Sequence, residues 1–218
     1  MLKEIPILIK KELQNEWKQK FSFSGILLYV VSTIFVSYLC FKVIDNILVW
    51  NALFWIIMLF AATNAVAKSF IQESKGRLLY LYTLASPQGI IIAKTIYNAF
   101  LLSIIGIFNY LFFSLLLGDL VQDKTLFLLT IILGSIGFAI VLTMVSAIAS
   151  KTNNTGSLMA ILAFPILIPL LITLIRLSKN ALDGLDLSVS YTYIVVLLAI
   201  NVIVVVLAYL LFPYLWRD

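Results

Sequence analysis

Histidine is absent from the 218 residues, and cysteine occurs once, at Cys40. Without histidine there is no imidazole to act as general base, metal ligand or haem axial ligand. A single cysteine excludes an intrachain disulfide. Charge is scarce: Asp, Glu, Lys and Arg make up 11% of the chain, against ~25% in soluble domains. Paired with 63% hydrophobic residues, that scarcity excludes a soluble globular enzyme, a disordered tail and a nucleic-acid-binding domain. No glycine is followed by lysine, so the chain lacks a Walker A loop to cradle ATP phosphates. The HExxH, CxxC and GxSxG patterns are missing too.

What is present is long apolar sequence. A bilayer-crossing helix needs about 20 apolar residues. Six stretches free of Asp, Glu, Lys and Arg exceed that length: Phe21–Phe41, Asn46–Ala67, Thr95–Gly118, Thr125–Ser150, Thr152–Ile175 and Leu187–Trp216. They are continuously apolar, so helices are expected rather than the alternating strands of a barrel. The fold class is all-α, a polytopic membrane protein with six transmembrane helices. One domain covers 1–218, with spans at about 22–41, 47–67, 90–117, 125–149, 156–176 and 191–213. No internal repeat or separate soluble domain stands out, and the outer loops are tiny except for Arg176–Ser190.

The short loops set orientation through their Lys and Arg. With the N-terminus inside, the cytoplasmic face holds eleven: Lys3, Lys10, Lys11, Lys18, Lys20, Lys68, Lys75, Arg77, Lys94, Lys151 and Arg217. The other face holds four, Lys42, Lys124, Arg176 and Lys179. Both termini are therefore expected in the cytoplasm. Trp17 and Trp216 fall near the inner interface and Trp50 near the outer one, where amphipathic rings prefer to lie. Charges run on to Lys20 and no small-residue cleavage site follows the first span, unlike a signal peptide. Leu2, Ile5, Ile9, Leu13 and Trp17 recur at helical spacing, which predicts an N-terminal amphipathic helix lying in the interface against membrane lipid.

Inside the charge-free stretches no acid–base set exists, which argues against an ion-driven pump. The fourth span carries Gly134, Ser135, Gly137, Ala139, Thr143 and Ala147. Small residues at such spacing let helices approach closely. Asn64, Asn98, Asn109 and Asn201 are expected to face the bundle. The fifth span holds Pro165 and Pro169, each of which removes a backbone donor and presses on the turn before it. A fixed kink and a bend that moves between two states both fit. The stretch Lys68–Ala85 is predicted as a short cytoplasmic helix, followed by a turn at Ser86-Pro87-Gln88-Gly89. Glu73, Lys75 and Arg77 offer polar contacts there, and Phe70, Leu78 and Leu81 apolar ones. That helix either docks in the groove of a partner or rests on lipid headgroups.

Phe70, Glu73, Gly76, Leu79, Pro87 and Ala93-Lys94 resemble the corresponding stretch of the CcmB family, the haem-exporter permeases of the cytochrome c maturation ABC transporter. Gly134–Leu171 is similar as well, above all Gly156, Leu158, Leu162, Pro165, Ile168 and Pro169. Length and six-span layout agree. The resemblance implies an ABC-2-type permease of the bacterial cytoplasmic (inner) membrane. It implies three partners: a separate ABC ATPase gripping the coupling helix between spans two and three, a second haem-handling membrane subunit, and a periplasmic haem chaperone. The complex would use ATP to deliver or release haem for attachment to c-type cytochromes. Haem is then a substrate of the complex, with no cofactor or metal held in this chain and no catalytic residue. A permease for a lipid, glycan or drug, and a non-transporting assembly scaffold, are the alternative readings.

Overall fold

A computed structural model describes residues 4–18, 20–71, 85–150 and 155–216. These form seven helices and no strand: α1 (Glu4–Lys18), α2 (Lys20–Phe41), α3 (Ile47–Ile71), α4 (Pro87–Leu117), α5 (Lys124–Ala149), α6 (Thr155–Leu182) and α7 (Leu187–Trp216). All but α1 are long and apolar enough to cross a bilayer. Helices are the economical solution because each segment satisfies its own backbone polar groups where lipid cannot.

The helix ends depart from the sequence reading in two places. The expected turn at Ser86–Gly89 is a helix start: Ser86 is the N-cap, its hydroxyl accepting from the Gly89 N–H, and Pro87 opens the first turn. Serine before proline suits a helix entry, because the hydroxyl satisfies a free N–H and proline has none to lose. The expected loop Arg176–Ser190 is almost wholly helical, leaving only 183–186 between α6 and α7. Charge ends an apolar run without ending a helix.

The centre of the molecule is α5. Two-thirds of its spanning window is buried, against 17% for α2 and 22% for α7. It packs against α3, α4, α6 and α7. Small residues make this position reachable. A Cβ on Gly134 would lie 3.0 Å from Leu174 and Trp55. One on Gly137 would lie 2.7 Å from Leu170 and 2.9 Å from Asn201. On α4, Gly106 admits Ile131 in the same way. The α4–α5 seam runs antiparallel, with Asn98 donating to the Thr143 hydroxyl at 2.8 Å and Ser135 donating to the Leu102 carbonyl at 3.2 Å.

Candidate functional site

At the end of the bundle away from the termini, aromatic rings fill the gap between helices. Trp50 stacks on Phe54 with ring centroids 5.8 Å apart and meets Phe113 edge-on at 4.9 Å. Phe127 and Tyr110 close the cluster. Trp50 is fully buried and donates its indole N–H to the Gly118 carbonyl at 2.9 Å. Its ring lies at the level of the helix ends and faces the core. One turn deeper, the Trp55 indole donates to Ser178 Oγ at 2.8 Å. Ser178 Oγ lies 2.8 Å from Asn51 Oδ1, and Asn51 Nδ2 donates to the Ile175 carbonyl at 2.9 Å. This network pins α3 to α6.

Asparagine was only partly legible. Asn98, Asn109 and Asn201 are buried, but Asn64 is exposed and takes no part in the core. Asn51 and Asn180, which hydropathy alone did not single out, are buried, and Asn180 donates to Ser190 Oγ at 3.1 Å. Residue type announces a polar group but not which way its helix is turned. In lipid the outer face is apolar too, so the pattern around the asparagine carries little directional signal.

The terminus-bearing end holds a different arrangement. Lys94, counted with the cytoplasmic cations at the start of the expected span of about 90–117, lies two turns inside α4 and is 1% exposed. Its ammonium is 3.2 Å from the Glu12 carboxylate on α1. Helix α4 has 31 residues, about 46 Å at 1.5 Å per residue, whereas the hydrocarbon core is about 30 Å thick. Counted back from Leu117, that thickness ends near Asn98. Counted in that way Lys94 falls in the part of α4 that exceeds the hydrocarbon thickness, and α1 covers it. At the tip of the projection, Glu4 accepts from the Ser86 backbone N–H at 3.1 Å and from its hydroxyl at 2.8 Å. The backbone bond, then the hydroxyl bond, holds the Glu4 carboxyl below its ordinary range. Leu8 lies between the two glutamates and is buried, while Ile7 and Leu13 are exposed. So α1 docks through Glu4, Leu8 and Glu12, with Ile5 and Ile9 packed at the edge.

Of the residues singled out for coupling, Phe70 belongs to the final turn of α3. Glu73, Lys75, Gly76, Arg77, Leu78 and Leu81 lie outside the described residues. The structure brings Gly134, Ser135, Gly137, Ala139 and Thr143 together as buried positions of α5. Pro165 and Pro169 fall on the exposed side of α6, whose buried side carries Ala163, Leu167 and Leu170. The Thr173 hydroxyl donates to the Pro169 carbonyl at 2.8 Å. A lateral cleft of about 340 Å³ opens between α4, α5 and α7, lined by Ile91, Ala99, Ile140, Val205 and Tyr209 among others. Among the described residues no His, Cys, Asp or Glu side chains cluster to hold a metal ion.

The helices fill their interior with packing and hydrogen bonds, and the charge lies at the ends. Such an architecture belongs to multi-pass membrane proteins. A family model described as CcmB protein matches residues 4–214. That is nearly the whole chain, and the chain belongs to the CcmB family. It is accordingly a transmembrane permease subunit of cytochrome c biogenesis, in the inner membrane. No curated protein matches the chain.

Proposed function

We propose that this subunit transmits the work of a separate ABC ATPase to the delivery or release of haem for cytochrome c maturation. The observation that carries the reading is the family match over 4–214, in a sequence with no phosphate-binding loop of its own. The engine must then reside in another chain. Eleven of fifteen Lys and Arg residues fall on the terminus-bearing face by the span order, which supports a cytoplasmic position for it. The segment 68–86 on that face receives the ATPase. Tilt passes into α3 and α4, and α6 accommodates it at Pro165 and Pro169. With no imidazole in the chain, haem iron is held by a second, haem-handling membrane subunit and passed to a periplasmic chaperone.

Substituting Gly76 and Arg77 by bulky and acidic residues tests the reading. ATP hydrolysis by the assembled complex should persist while holocytochrome c formation falls. Normal holocytochrome c levels with both substitutions present would refute the coupling role.

A further inference from the structure

The contacts of α1 with α4 have a shared register. Glu4 meets Ser86 and Glu12 meets Lys94, eight residues apart on each helix. Eight residues of α-helix rise about 12 Å, so the two helices run side by side in the same direction over that length. Ser86 is the residue through which the segment 68–86 enters α4. Glu4 therefore holds the end of that segment, and Glu12 holds α4 two turns further on.

The chemistry of the second contact matters. The Lys94 side chain is 2% exposed and that of Glu12 is 14% exposed. A leucine pair would anchor α1 as firmly, since a buried ion pair adds little net stability over apolar packing. An ion pair adds register. Sliding α1 by one turn one way would set Leu8 against Lys94 and draw Glu12 away from a buried ammonium, which is disfavoured; sliding it the other way would set Leu8 against Ser86 and break both Glu4–Ser86 bonds. Leu8 alone would tolerate the slide.

We propose that Glu12 and Lys94 are positioning residues of the coupling machinery. Together with the Glu4–Ser86 clamp they fix α1 to the projecting turns of α4, so that both move as one lever. The proposal deepens the reading above and rests on it: α1 becomes a second element displaced whenever the segment before Ser86 is displaced.

The test uses the complete complex in membranes, with holocytochrome c formed per ATP hydrolysed as the readout, normalised to the amount of this subunit. Glu12→Lys and Lys94→Glu should each lower the ratio roughly tenfold, the size expected for residues in direct contact. The double exchange E12K/K94E should restore it. If the single variants only reduce subunit abundance and leave the normalised ratio unchanged, the pair is a structural anchor and the proposal is wrong. It is equally wrong if the exchange fails to restore the ratio while the subunit is present at normal levels. Failure of the underlying reading has a separate signature: the unsubstituted complex would form holocytochrome c with a hydrolysis-deficient ATPase.

Discussion

Replacing Gly137 by alanine should destabilise the bundle, although alanine is the better helix former. In a helix interior, Gly→Ala gains about 0.5–1 kcal/mol by reducing backbone freedom. At Gly137 the new Cβ meets Leu170 Cδ1 at 2.7 Å, Asn201 Oδ1 at 2.9 Å and Leu170 Cδ2 at 3.1 Å. Two different helices, α6 and α7, approach this point, so relief on one side presses on the other. Asn201 also spans the gap by donating to the Leu133 carbonyl at 3.5 Å, and its displacement would break that contact. Overpacking of this kind costs about 1–3 kcal/mol. The steric term wins, and the net loss should be about 0.5–2 kcal/mol. Gly25 supplies the control. It lies in α2, and a Cβ there meets nothing within 4 Å, so Gly25→Ala should be neutral or stabilising by up to about 1 kcal/mol. Reversible unfolding in mixed micelles, followed by tryptophan fluorescence, measures both. Equal or greater stability of G137A relative to G25A would refute the packing argument.

Three further outcomes are expected. Ser178→Ala strips the Trp55 indole N–H of its partner and Asn51 Oδ1 of a donor, and should cost about 1–3 kcal/mol in the same unfolding assay; an unchanged unfolding midpoint would show that this network does not hold α3 to α6. Pro165→Ala with Pro169→Ala restores two backbone donors on the exposed side of α6 and should raise unfolding stability; a role of these prolines in the transport cycle lowers ATP-driven holocytochrome c formation at the same time, whereas unchanged turnover would refute that role. The third concerns pH. The Glu4 carboxyl is lowered from its ordinary value of 4.5 by bonds from Ser86, so its contribution to docking is complete above that value and is lost as pH falls through the lowered one. A nitroxide at exposed Ile7 should therefore stay immobile down to the ordinary carboxylate range and loosen only in stronger acid, and Glu4→Gln should abolish that step.

The amino-acid order by itself determined the helices. Each charge-free run can satisfy its backbone only within itself once in lipid, so existence and number of spans follow from local composition. The small residues of the fourth span announced a tight seam, since only they lack the bulk that keeps helices apart. Tertiary structure alone decided facing. Trp50 turned inward and Asn64 outward, Asn51 joined a network with Ser178 and Trp55, and Gly106 proved a contact point on α4. Lys94 reads in the sequence as a cation at a span end, and only the packing of α1 over it buries it. The physical reason is common to all of them. In water, burial sorts apolar from polar faces and writes that sorting into the sequence, but a helix bathed in hydrocarbon is apolar on both sides. Which side meets a neighbour is then settled by partners distant in the chain, such as Glu12 for Lys94 and Gly118 for Trp50.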